Sequence, residues 1–334
     1  MSMIVLCFGI VMLILDAQGA LLGAREGLEL CIKAVIPSLM PFFFLSVLLT
    51  NRLVGKRVSM FQPMGRVLRL PEGAESIFLM GILGGYPVGA QAIAQAKQSG
   101  HLDGGNAARM LGFCSNAGPS FIFGILGGMF TSPAAPWSLW IIHILSAVIV
   151  GFLLPGAMPI TANIPRQKQI TPAGALERTV KIMATVCGWV ILFRVIIAFL
   201  RRWILWLFPK VVGNIVIGIL ELTNGCCMLG EIENEGLRFI LASCFLACGG
   251  CCVTMQTMGV TEEIGSGMYF PGKLMQTGIS FLLAFVCQSV LFSGNASIHL
   301  RPIIMGPVTI CLMVMVFYLR KQKNNSSIPV LSGV

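Results

Sequence analysis

The stretch "GILGGYPVGAQAIAQA", Gly81 to Ala96, lies in one of the most apolar parts of the chain, yet it holds two adjacent glycines, a proline and a glutamine. Proline removes a backbone donor and its ring clashes with the preceding turn. Each glycine weakens a helix by roughly 1 kcal/mol. A break or a re-entrant tip is therefore expected near Tyr86. The same glycines have a second reading: Gly81, Gly85 and Gly89 form two overlapping G-x-x-x-G steps, which let helices approach closely.

The surroundings say what kind of chain this is. Of 334 residues, 56% are hydrophobic and 11% charged, against about 25% charged in soluble domains. A bilayer core about 30 Å thick needs about 20 apolar residues per helix. Ten such segments are expected, at approximately 3–22, 30–50, 76–97, 107–130, 136–156, 179–200, 210–230, 237–259, 272–293 and 300–319. The expected class is an all-α polytopic membrane protein with no separate soluble domain. The opening residues lack the basic start of a secretory signal, so they are read as a retained first helix.

The net charge of +10 is spread over loops and tails, which argues against a nucleic-acid binder. Arg52, Lys56, Arg57, Arg66 and Arg69 occupy one loop; Arg201, Arg202 and Lys210 another; Arg320, Lys321 and Lys323 the tail. With ten crossings these three regions share one side. The positive-inside rule assigns it to the cytoplasm, with both termini. Arg166, Lys168, Arg178 and Lys181 then fall opposite.

Five segments precede a linker and five follow it. The expected layout is a membrane repeat over 1–156, a linker at 157–177, a second repeat over 178–320 and a polar tail at 321–334. "GGYPVGAQ", Gly84 to Gln91, and "GGCCVTMQ", Gly249 to Gln256, agree at four of eight positions and are placed as counterparts. An odd number of segments per half implies an inverted-topology repeat, the ground plan of many secondary transporters. Their solute sites lie near the midplane, where helices are interrupted.

Four interruptions are expected, and they carry the candidate solute-binding residues. The first supplies Gly85, Tyr86, Pro87, Gly89 and Gln91. The second, "CSNAGPSF", supplies Ser115, Asn116, Gly118, Pro119 and Ser120. The third, "ELTNG", supplies Glu221, Thr223 and Asn224; the fourth supplies Gly250, Thr254 and Gln256. Gln91 is expected to face the solute beside Gln256.

Ionisable residues at membrane depth are functional-site candidates by default. Glu221 and Arg194 qualify. Either they pair with each other, or Arg194 receives an anionic solute and Glu221 a coupling proton or sodium ion. Lys33 and Asp16 sit nearer segment ends and are expected to snorkel. The cysteines, including Cys226, Cys227, Cys248, Cys251 and Cys252, lack a second pair or a neighbouring histidine for a metal site. They are read as packing residues. No G-x-S-x-G elbow, H-E-x-x-H helix or ATP-binding G-x-x-x-x-G-K-[ST] loop occurs. No enzymatic activity or cofactor is expected. The expected partners are a small solute and lipid, with a coupling ion and an oligomeric or membrane-protein partner left open.

"GGYPVGAQ", then "RMLGFCSNAGPSFIFGILG", then "ELTNG" and "GGCCVTMQ", resemble the sporulation integral membrane protein YlbJ family, over about Ile36 to Phe292. That family is part of the wider nucleoside-recognition or Gate-domain group. The resemblance implies membrane transport, of a dipicolinate-like aromatic dianion in sporulation members. It also implies helical hairpins around a central site, and residence in the cell membrane, or the forespore membrane if sporulation-specific. A scaffold or assembly factor in spore formation and a nucleoside-type transporter are the alternatives.

Overall fold

The computed structural model describes residues 3–53, 59–155 and 170–292. Among them all regular structure is helical. The expected segment at 300–319, the tail, and residues 157–169 of the linker lie outside the described residues. The linker's last residues already belong to a helix, which starts at Pro172.

The first half runs α1 (Met3–Leu15), α2 (Ala17–Leu30), a π-helical turn (Cys31–Val35), α3 (Ile36–Leu53), α4 (Gln62–Val67), α5 (Glu75–Gly84) and α6 (Val88–Gln98). It continues with α7 (Gly104–Cys114), α8 (Pro119–Phe121), tighter and wider turns to Met129, and α9 (Ala135–Leu153). The second half runs α10 (Pro172–Trp203), α11 (Lys210–Leu220), α12 (Leu222–Met228), α13 (Glu235–Cys248), α14 (Gly250–Val260) and α15 (Tyr269–Leu291).

Among the described residues six helical stretches are long and apolar enough to cross a bilayer: Ala17–Leu53, Gly104–Met129, Ala135–Leu153, Pro172–Trp203, Glu235–Val260 and Tyr269–Leu291. Expected segments one and two are therefore partitioned differently. Asp16 ends α1 and starts α2 by accepting the Gly19 N–H at 3.0 Å, so α2 runs on through the π turn into α3. Asp16 is buried at 6% exposure and binds Arg202 at 3.0 Å. It caps a helix and does not snorkel. Lys33 pairs on the surface with Glu29.

Two expected crossings are hairpins. At about 1.5 Å per residue, α5 and α6, of 10 and 11 residues, each reach about halfway across a bilayer. They fold against each other: a Cβ on Gly89 would come within 2.9 Å of Gly81 Cα and would strike the Cys114 carbonyl. α11 and α12 do the same, with Gly225 lying against Gly218. Gly81 and Gly89 thus obey the packing reading, and Gly85 the tip reading.

The order long helix, hairpin, interrupted helix, uninterrupted helix occurs twice. α2 packs along α10, where a Cβ on Gly27 would meet Ile191 Cα at 2.9 Å. α9 packs along α15, joined by Ser280 Oγ to Ser146 Oγ at 2.9 Å. This order corrects the proposed counterparts. "GGYPVGAQ" forms the tip of the first hairpin, and the second hairpin turns at Glu221. "GGCCVTMQ" instead interrupts the α13–α14 crossing, as "CSNAGPSF" interrupts α7–α8. Short glycine-rich matches align on composition; the chain order places them in different elements.

The loops also sort differently. Ile170 N–H binds Asn51 Oδ1 at 2.8 Å, so α10 begins beside the end of α3. Arg202 binds Asp16, so α10 ends beside the start of α2. The basic region around Arg52, Arg66 and Arg69 therefore shares an end with the start of α10, and Arg201, Arg202 and Lys210 lie at the other. The expected grouping of the first two basic regions on one side is overturned, because hairpins do not cross.

Candidate functional site at four interruptions

Each interruption has a local cause. Gly85, at φ +75° and ψ −173°, turns the first hairpin in a conformation essentially reserved for glycine. A Cβ there would sit 2.7 Å from Gly118 N, so the tip abuts the second interruption. There Ser115 and Gly118 are extended, and Pro119 begins α8. Glu221 is extended at the second hairpin's turn. Its carboxylate accepts the N–H groups of Thr223 at 3.0 Å and Asn224 at 2.6 Å, and Asn224 Nδ2 at 2.7 Å. A charged cap is favourable at a helix N-terminus. Gly249 and Gly250 both have positive φ. A Cβ on Gly250 would lie 3.0 Å from the Ile219 carbonyl, so each hairpin tip abuts the interrupted helix that follows it.

Tyr86 joins these parts. Its hydroxyl donates to Leu246 O on α13 at 3.2 Å, and its ring faces Gly249. The four interruptions converge on a small central cavity of about 40 Å³. Gly85, Tyr86, Gly118 and Ser120 line it from the first half, and Leu222 and Gln256 from the second. Ser120 Oγ is buried there without a hydrogen-bond partner.

A second, larger cavity of about 440 Å³ shares Gln256 with the first. Pro87, Gln91, Gln95, Arg178 and Lys181 also line it. Gln91 and Gln256 thus line one cavity. Arg178 is held by Gln95 Oε1 at 3.1 Å. A third cavity of about 450 Å³ flanks the second hairpin, with Glu26, Glu29, Arg194, Asn224 and Glu231 in its wall.

Arg194 does not pair with Glu221. Its guanidinium binds Glu26 at 2.8 Å and Asn224 Oδ1 at 2.7 Å. Asn224 links it to the Glu221 cap. The remaining candidates line none of these three cavities. Gly89 packs the hairpin, Thr254 Oγ1 donates to the Gly250 carbonyl at 2.9 Å, and Pro119 starts a helix. Asn116 Nδ2 donates to Phe113 O at 2.8 Å.

The sequence reading missed Lys273 and Gln276 on α15, and Arg178 and Lys181 as cavity residues. Lys273 is buried at 5% exposure. It donates to Tyr86 Oη at 2.9 Å, to Gln276 Oε1 at 2.7 Å and to the Ser115 carbonyl. Its signal was a lysine inside the apolar segment 272–293, where the nearness of a segment end hid its depth.

Six helices long and apolar enough to cross a bilayer, with two hairpins and two interrupted helices meeting at a central cavity, mark an integral membrane protein. The chain is 25% identical over 308 residues to the sporulation integral membrane protein YlbJ of Bacillus subtilis (strain 168), covering 78% of this chain and 75% of that protein. That similarity supports the family resemblance carried by the motifs, and relates the chain to a sporulation integral membrane protein. No family model matches the chain, and no solved structure matches it.

Proposed function

We propose that the chain is a secondary-type transporter of a small anionic organic solute, acting in sporulation as its relative's name suggests. The observation that carries this reading is the convergence of all four interruptions on one cavity, whose wall residue Gln256 also lines a second cavity walled by Arg178 and Lys181. Cavities of about 300–1,000 Å³ suit small organic ligands, and the one of about 440 Å³ beside Gln91 falls in that range. The central cavity holds only water-sized occupants. A solute would bind first beside Gln91, Gln256, Arg178 and Lys181, and the hairpin tips would part to admit it.

The topology favours alternating access. In each half, a long helix, an interrupted helix and an uninterrupted helix cross, while the hairpin returns to its own side. Three crossings per half make the second copy enter inverted, so one half can rock against the other about the fixed site. The end carrying Arg52, Arg66, Arg69 and Lys97 would be cytoplasmic, and the cavity beside Gln91, Arg178 and Lys181 lies toward it. Gly85, Ser120 and Gln256 would contact the solute, and Arg178 and Lys181 would draw it in. Arg194, already bound to Glu26 and Asn224, would gate the opposite cavity.

Uptake of radiolabelled dipicolinate, other aromatic carboxylates and nucleosides into proteoliposomes tests the reading. Protein-dependent flux of a carboxylate, reduced in Gln256→Ala, is the expected result. Flux of nucleosides alone would move the proposal to a nucleoside-type transporter. Absence of flux for the whole panel, with a demonstrated folded protein, would favour the scaffold reading.

A further inference from the structure

Lys273 is the only buried lysine among the described residues, and it lines none of the cavities above. Its environment is unusual for an ammonium at this depth. Placing a charge inside a membrane protein costs several kcal/mol unless partners compensate it. Among the described residues no carboxylate forms an ion pair with it. Compensation comes from three neutral oxygens: Tyr86 Oη, the Ser115 carbonyl and Gln276 Oε1.

Each oxygen is aimed by the structure around it. The Ser115 carbonyl is free because the chain leaves helical geometry there, and it sits at the C-terminal, electronegative end of α7. Gln276 donates its amide to Asn116 Oδ1 at 3.0 Å and to the His143 carbonyl at 3.4 Å, which leaves Oε1 to face Nζ. Tyr86 Oη uses its proton on Leu246 O at 3.2 Å, so toward Lys273 it presents lone pairs. Unwound backbone carbonyls and the C-terminal ends of half-helices coordinate monovalent cations in interrupted-helix transporters; the Ser115 carbonyl is such a group, and the Tyr86 hydroxyl and Gln276 amide oxygens stand beside it.

We propose that Lys273 is a tethered cation: its ammonium fills a monovalent-cation site built by the first hairpin tip, the α7–α8 interruption and α15. The hairpin is thereby locked onto the rest of the molecule by the chain itself, with no free sodium ion. The inference rests on the oxygen cage and stands whether or not the chain moves a solute. It deepens the proposed function in one respect, since the site would need no sodium to close.

The test is thermal unfolding of the purified full-length protein in detergent, in sodium, potassium, methylammonium or choline chloride at equal ionic strength. Wild type should show the same midpoint in sodium and in choline. Lys273→Ala should have a lower midpoint in choline. At least one small cation should raise it saturably, by about 2 °C at a tenfold excess over its dissociation constant. Lys273→Gln, whose amide partly fills the cage, should recover less. A saturable sodium-specific rise in wild type overturns the proposal. So does a Lys273→Ala protein that folds but answers to no cation, or a Lys273→Met protein as stable as wild type in choline. If Lys273→Ala does not fold in any salt, the wild-type and Lys273→Gln arms decide. Equal sodium responses in those two proteins would refute the tethered cation.

Discussion

Gly85→Ala is the sharpest probe of how the hairpin tip is seated. Two costs add at this position. The backbone lies at φ +75° and ψ −173°, where a residue with a side chain pays about 1–3 kcal/mol. The new methyl would also lie 2.7 Å from Gly118 N and 2.9 Å from Gly118 Cα. Those are main-chain atoms of another element, which cannot swing aside as a side-chain end can. Overpacking of this kind costs about 1–3 kcal/mol, so the expected loss is about 2–6 kcal/mol. Denaturant unfolding in detergent micelles measures it, with Gly104→Ala as control, because nothing lies within 4 Å of a Cβ there. Gly118→Ala should lose less, about 1–2 kcal/mol, since its backbone is extended and its Cβ would meet Gly85 and the Leu83 carbonyl at 3.1–3.3 Å rather than below 3 Å. The double variant should depart from additivity by at least about 0.5 kcal/mol, because the two sites touch. A Gly85→Ala loss below about 1 kcal/mol, no different from the control, would refute the seating of the tip on the α7–α8 interruption.

Other outcomes follow from the same contacts. Glu221→Ala removes the acceptor of two backbone N–H groups and of Asn224 Nδ2, and should destabilise by about 2–4 kcal/mol; Glu221→Gln should cost less, and equal losses in the two variants would contradict the capping role. A double-mutant cycle between Arg194 and Glu221, which share only Asn224, should give a smaller coupling than the Arg194 and Asn224 cycle; an Arg194–Glu221 coupling larger than the Asn224 one would restore the pair expected from sequence. Tyr86→Phe should cost about 1.5–3 kcal/mol, as it strips one oxygen from a charged donor, measured by the same unfolding. Charge reversal at Arg178 and Lys181 should raise the KM for a carboxylate in proteoliposomes and flatten its salt dependence; unchanged KM would remove these residues from the solute path.

Composition made the all-helical membrane class legible, and glycine and proline spacing made the four interruptions legible, because both are local properties of the chain. Gly85 and Gly118 were found for that reason, although their contact was not. What could not be read was how a broken segment is used. "GILGGYPVGA" and "ACGGCCVT" each set a Gly-Gly pair in an apolar segment. The first reverses the chain because Pro87 follows a left-handed glycine, and Gly81 and Gly89 let the two arms touch. The second lets the chain continue. That difference decides the number of crossings, and with it which basic loops share a side.

The polar residues were misjudged for a related reason. Sequence reasoning ranks a charge by its distance from the end of its own segment, so Glu221 and Arg194 stood out and Lys273 did not. Depth in this fold is set by what surrounds a residue. Two hairpins bring half-crossings and their polar tips into the interior, and α15 meets the first of them within one turn of its start, where Lys273 finds Tyr86 and Ser115. A charge near a helix end is then buried, while Arg194 in mid-helix reaches a wide cavity and an acidic partner at its rim. The most informative polar residues in such a fold are those that meet a helix interruption from another element, and Lys273 is the clearest of them here.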